Sequence, residues 1–125
     1  MCLTIEKYAF KRLALTNVVV YKHLKKGADL NDLFTPYRYS TVCIGETYKS
    51  DLFRRSSCRN YVDFGLHSFK TLDEAIADGI YEGSDVVVKC IIPRGSRYYV
   101  GKFFSKTSLA STRIKYLEIV ENLKQ

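Results

Sequence analysis

Apolar positions along this chain come in short alternating or continuous blocks, with helical spacing in only one place. Residues 17–24 (NVVVYKHL) open on a β-branched run and predict a buried strand. Lys25-Lys26-Gly27 ends that block, and residues 27–36 read as a loop with one helical turn. Residues 37–48 (YRYSTVCIGETY) alternate around Thr, Val and Ile and predict a second strand, bulged at Gly45. Residues 49–60 are polar and basic, with Arg54, Arg55 and Arg59 around Ser56 and Ser57, and read as a mobile loop. Residues 61–69 (YVDFGLHSF) predict a third strand. Helical spacing then takes over. Thr71 is placed to N-cap a helix over residues 71–82, and Glu74 three residues on completes a capping box. Leu72, Ala75, Ile76 and Ile80 fall on one face, Asp73 and Glu74 suit the helix dipole, and Gly83 ends the run. Residues 85–92 (DVVVKCII) predict a central strand, Pro93-Arg94-Gly95-Ser96 a turn, and residues 97–104 (RYYVGKFF) its hairpin partner. Residues 113–120 (RIKYLEIV) predict a last strand. The pattern as a whole predicts a single α+β domain over residues 1–125. It would have a mixed or antiparallel sheet of five or six strands, with one or two short helices packed on it.

With 125 residues, of which 46% are hydrophobic, the chain can bury a core without disulfide staples. No apolar run reaches the roughly 18 residues of a membrane span, and residues 1–15 do not resemble a secretory signal. Cys2, Cys43, Cys58 and Cys90 are irregularly spaced, with neither the density of a disulfide scaffold nor the spacing of a zinc site. Four reduced thiols in the cytoplasm of a host cell is the expectation. The net charge of +7 is unevenly spread. Lys7, Lys11, Arg12, Lys22, Lys25 and Lys26 form one block without an acid. Arg94, Arg97, Lys102, Lys106, Arg113 and Lys115 form another. Between them, residues 63–85 hold Asp63, Asp73, Glu74, Asp78, Glu82 and Asp85 against Lys70 alone. Such segregation favours an anionic partner if the basic blocks meet in space.

No set of residues makes a complete active site. His23 and His67 are the only histidines. Cys58, flanked by arginines that would lower its pKa, and Cys90 are the thiols open to a nucleophile reading, but neither has a base beside it in sequence. The glycines form no phosphate-binding loop. No metal ligand set and no cofactor are expected. The stretch Arg94 to Lys106 interleaves cations with aromatics as phosphate-pairing and base-stacking surfaces do. Its alternation puts Arg97, Tyr99 and Phe103 on one face, and Tyr98, Val100, Lys102 and Phe104 on the other.

The blocks Val20-Tyr21-Lys22, Gly65-Leu66-His67-Ser68-Phe69 and Val88-Lys89-Cys90-Ile91-Ile92-Pro93-Arg94-Gly95-Ser96-Arg97-Tyr98-Tyr99 resemble a group of small phage and mobile-element proteins. That resemblance implies an accessory protein of counter-defence type. Gly65-Leu66-His67-Ser68 and Ile92-Pro93-Arg94-Gly95 also resemble a strand and a turn of ADP-ribosyltransferase folds. Against that pattern, Lys22 stands where those enzymes carry an arginine, and no acid follows Leu109 before Glu118. This second resemblance implies a nucleotide-shaped cleft with its catalytic set missing. The leading expectation is a non-enzymatic protein that binds an anionic small molecule of nucleotide type. Arg38, Arg54, Arg55, Arg59, Arg94 and Arg97 would hold phosphates, and His67, Tyr98 and Tyr99 would stack or hydrogen-bond. The alternatives are nucleic acid as the anionic partner, a host protein docked by the acidic helix or a sheet edge, and a divergent transferase using Glu118.

Overall fold

The computed structural model describes residues 3–4, 11–27, 32–36, 40–50, 61–62, 65–103 and 106–124. Its strands are Leu3–Thr4 (β1), Arg12–Leu13 (β2), Val18–Lys26 (β3), Leu33–Phe34 (β4), Thr41–Val42 (β5), Thr47–Lys49 (β6), Tyr61–Val62 (β7), Leu66–Phe69 (β8), Val86–Ile92 (β9), Arg97–Phe103 (β10), Lys106–Ser111 (β11) and Arg113–Asn122 (β12). One helix, Leu72–Glu82 (α1), stands between β8 and β9.

Ten of the strands form one antiparallel sheet, ordered β6-β12-β9-β3-β8-β11-β10-β1-β7 with β2 also on β10. β4 and β5 extend from the end of β3 as a small second ladder. This overturns the expected α+β domain of five or six strands with one or two helices. The described chain is mostly β, and its additional strands are too short to carry a period of their own. β1, β2, β4, β5 and β7 are two residues each, held by pairing with longer neighbours. The predicted strand over residues 37–48 is two strands. The turn at Ile44-Gly45 separates them, with Glu46 N–H donating to the Cys43 carbonyl at 3.3 Å. The expected 85–92/97–104 hairpin does not form, because β3 and β12 already occupy both edges of β9. β10 pairs instead with β11, a strand the hydrophobic pattern had not marked.

The sheet has two halves, β6-β12-β9-β3 and β8-β11-β10-β1-β7, joined through the single pair Tyr21–Phe69. Register decides which side chains meet. Val18, Val20 and Leu24 of β3 share a face with Ile92, Cys90, Val88 and Val86 of β9. Together with Ile114 and Tyr116 of β12 and Leu109 of β11 they form the main core, so both halves contribute to one apolar cluster. The opposite face of β3 and β9 carries Tyr21 and Val87. There α1 packs through Leu72, Ala75 and Ile76 over Phe69.

The predicted helix is present, with Thr71 as N-cap accepting from Glu74 N–H and Gly83 as left-handed C-cap. Two details differ. The Glu74 carboxylate accepts from the Thr71 hydroxyl and from Thr107 N–H, which ties the helix start to β11. The buried face is Ala75, Asp78 and Gly79, while Ile80, expected on it, is 63% exposed. An aspartate reads as solvent-facing in any hydrophobicity pattern, so the pattern placed Leu72, Ala75 and Ile76 on the packed face but missed Asp78.

Candidate functional site

Along one edge, β3 changes partner: it pairs with β8 at Tyr21 and with β4 at Lys25 and Lys26. Between those contacts, at Lys22 and His23, a cleft of about 300 Å³ opens. β3 forms one wall and Gly65, Leu66, His67 and Phe69 another. Thr35, Pro36, Ser40, Thr41 and Val42 of the β4–β5 ladder, with Tyr48, Lys49, Ser50 and Tyr116, complete it. Among the described residues lining it there is no carboxylate; its formal charges are Lys22 and Lys49.

Lys22 sits on the inward face of β3, between core residues Val20 and Leu24 and opposite Val88. Its charge therefore lies against apolar surroundings at the cleft, half-buried. Lys49 alternates with Tyr48, whose ring turns inward onto Tyr116 edge to face at 5.5 Å, so Lys49 stands at the rim. Burial raises the Tyr48 phenol above its ordinary value even though its oxygen accepts from Cys43 N–H at 2.7 Å, and burial raises Tyr116 further. Both rings therefore stay neutral. Phe69 stacks with the His23 ring at 6.0 Å and 21°. His67, 8% exposed, donates from Nδ1 to the Gly65 carbonyl at 3.2 Å.

His23 is locked beneath this site. A carboxylate only accepts, so His23 Nε2 donates to Asp78 Oδ2 at 2.7 Å. In the neutral ring Nδ1 then accepts from the Ser84 hydroxyl at 2.6 Å. Lys106 Nζ stands 4.0 Å from the other Asp78 oxygen. Serine, histidine and aspartate are the residue types of a hydrolase triad. Here, however, Ser84, His23 and Asp78 are 1%, 2% and 1% exposed, so no substrate reaches the hydroxyl and the network fastens α1 to β3. Sequence reasoning missed it, because the three residues lie on different elements and nothing local links them.

Of the residues expected at the site, His67 lies in the cleft wall. Arg94, Arg97, Tyr98 and Tyr99 do not line it. Both of those arginines are exposed at the start of β10, Tyr98 packs against the core, and Tyr99 is 6% exposed. Tyr99 therefore offers no face for stacking, and Tyr98 is half-buried. Arg38, Arg54, Arg55, Arg59 and Cys58 lie outside the described residues. Cys90 is fully buried, and burial pushes its thiol up to about 12, with the Lys22 charge acting weakly the other way. It is chemically inert as a nucleophile. Glu118 pairs opposite Lys89 on the outer face of the sheet, away from the cleft. Among the described residues no three His, Cys, Asp or Glu side chains group as metal ligands would. Nor is any described helix long and apolar enough to cross a membrane. No protein-family model, curated protein or solved structure matches the chain.

Proposed function

We propose that this protein captures a small anionic ligand of nucleotide type in the cleft between β3 and β8, without acting on it chemically. The observation that carries this is Lys22, a cation on the core-facing side of β3 in a cleft walled by aromatic rings and, among its described residues, free of carboxylates. A phosphate there gains a charge-assisted contact in a partly desolvated setting, where such contacts count for most. The half-buried ring of Tyr48 suits the flat, apolar part of the same ligand. The resemblance to ADP-ribosyltransferase strands supports this reading, since Lys22 and residues 65–67 belong both to the resembling blocks and to the cleft walls. In that reading the site keeps the shape of a nucleotide pocket without the acid a transferase needs. A capture protein of this kind fits the accessory, counter-defence role implied by the phage-type blocks.

The test begins with protein purified from its natural host, denatured, and its released small molecules identified by mass spectrometry. Calorimetric titration follows, with adenosine monophosphate, NAD and a cyclic dinucleotide as probes. Lys22→Ala should weaken binding by about 10- to 100-fold, the loss expected of one charge-assisted contact. Lys22→Arg should retain most of it. No released nucleotide together with no binding of any probe, or a Lys22→Ala protein that binds as well as the parent, would remove the proposal.

A further inference from the structure

A second surface, bordering the cleft at Lys49, gathers cations from both basic blocks. β2 pairs with β10 so that Arg12 stands opposite Tyr98 and Leu13 opposite Arg97. Arg94 lies in the turn before β10, and Arg113 lies opposite Lys49 at the start of β12. Lys11, Lys49, Arg94 and Arg97 are exposed and Arg113 is half-buried, whereas Arg12, also exposed, shares the opposite face of the sheet with Tyr98. Among the described residues none of these six is within ion-pair distance of a carboxylate. The guanidinium of Arg113 is spent on neutral acceptors, donating to the Arg94 carbonyl at 2.9 Å and the Ser96 hydroxyl at 3.1 Å.

The surface is also held rigid. Ser96 N–H donates to the Pro93 carbonyl at 3.0 Å, closing a turn that needs the positive φ of Gly95, 88°. Gly95 N–H donates to the Ala14 carbonyl and Ala14 N–H to the Ser96 carbonyl, each at 2.8 Å. Arg94 N–H donates to Asn17 Oδ1 at 2.9 Å. Residues 14–17 and 93–96 are thus laced into one unit. Leu15, 75% exposed, stands on it, and Leu13 (42%) and Val19 (44%), also exposed, flank it in sequence.

We infer that this surface docks an acidic protein segment carrying aliphatic or aromatic anchors. Charge complementarity requires an anionic partner, and arginines pair carboxylates through two parallel hydrogen bonds. Single-stranded nucleic acid would need exposed rings to stack on, and here Tyr99 is buried and Tyr98 half-buried against the core. Duplex nucleic acid would use the cations and leave Leu13, Leu15 and Val19 in water. An acidic segment with apolar anchors uses both features, in the usual arrangement of an apolar centre with a charged rim.

The test is a selection from random peptides displayed on phage against the immobilised full-length protein, with the best peptide and a short DNA duplex then titrated in parallel. Selected peptides should be rich in Asp and Glu, with Leu, Ile or Phe among them. Their binding should weaken by about tenfold or more in Arg94→Glu/Arg97→Glu and about fivefold in Leu15→Asp. Because all three positions are exposed, the melting curves of these variants should match the parent's. Selection without acidic enrichment, or peptide binding that neither variant changes, would overturn the inference. So would duplex binding tighter than peptide binding and untouched by Leu15→Asp, which would reassign the surface to nucleic acid.

Discussion

Gly79 is where α1 and β3 come closest, and it illustrates how much one residue can decide. A Cβ there would stand 2.9 Å from His23 Cβ and 2.6 Å from a Leu123 methyl. The methyl can swing aside. His23 cannot, because both ring nitrogens are bonded, to Asp78 and Ser84. Alanine would gain helix propensity of about 1 kcal/mol, but overpacking against a fixed neighbour costs about 1–3 kcal/mol. Gly79→Ala is therefore expected to lower stability in urea unfolding, whereas an unchanged or raised midpoint would show that the helix can shift on β3. In sequence Gly79 reads only as a weak helix position, and Asp78 beside it as a solvent-facing charge. The buried histidine that explains both is 55 residues from Asp78.

At the scale of elements, Asp85 fastens the end of β3 to the start of β9. Its carboxylate accepts from Lys26 N–H at 2.7 Å and pairs with Lys124 at 3.1 Å, while Asp85 N–H donates to the Leu24 carbonyl. Burial raises the carboxyl, but the Lys26 N–H and the charges of Lys124 and Lys25 outweigh it, and the group ends below the usual aspartate value. A carboxyl depressed in the folded state stabilises the fold at pH above its unfolded value of about 3.9. That contribution fades as pH falls through the lower, folded value. Asp85→Asn should therefore be less stable than the parent at neutral pH, with the gap closing below about pH 4. Thermal melts of both proteins across that range would measure it, and a gap of constant size would mean that the ionised form contributes nothing. The sequence places both strands at this junction within a residue or two. It does not reveal that the short link beyond α1 carries the staple.

For the molecule as a whole, the two half-sheets meet at a single strand pair, and the cleft lies beside that joint. A ligand held there touches β3 and β12 of one half and β8 of the other, so binding should stabilise the entire fold. At a probe concentration about 100 times its Kd the linkage amounts to about 2.7 kcal/mol, a rise in melting temperature that Lys22→Ala should cut to about half or less. A probe that binds without raising the melting temperature would mean that it binds the unfolded chain as well. The charge distribution also acts at this scale. The two basic blocks come together at the turn before β10, while the acids of α1 and Asp85 gather around the helix and the β3–β9 junction. Lys25 and Lys106, from the same two basic blocks, nevertheless lie beside Asp85 and Asp78, so the segregation legible in the sequence survives folding only in part.

What the sequence by itself determined is what local chemistry can fix. Apolar blocks at residues 17–24, 85–92 and 113–120 could only be buried strands. Thr71, Glu74 and Gly83 could only bound a helix, and most charged residues had to stay at the surface, Asp78 being the exception. Alternation tells which residues share a face, but it does not tell which strand lies next door. Pairing is settled by long-range contacts, and closing a longer loop costs only slightly more than closing a short one, so nearness in sequence does not enforce a hairpin. For this reason β9 takes β3 and β12 as neighbours and leaves β10 to β11. For the same reason the cleft at Lys22, the buried partner of His23, and the meeting of β2 and Arg113 with the turn at residues 93–96 were decided only by the tertiary structure.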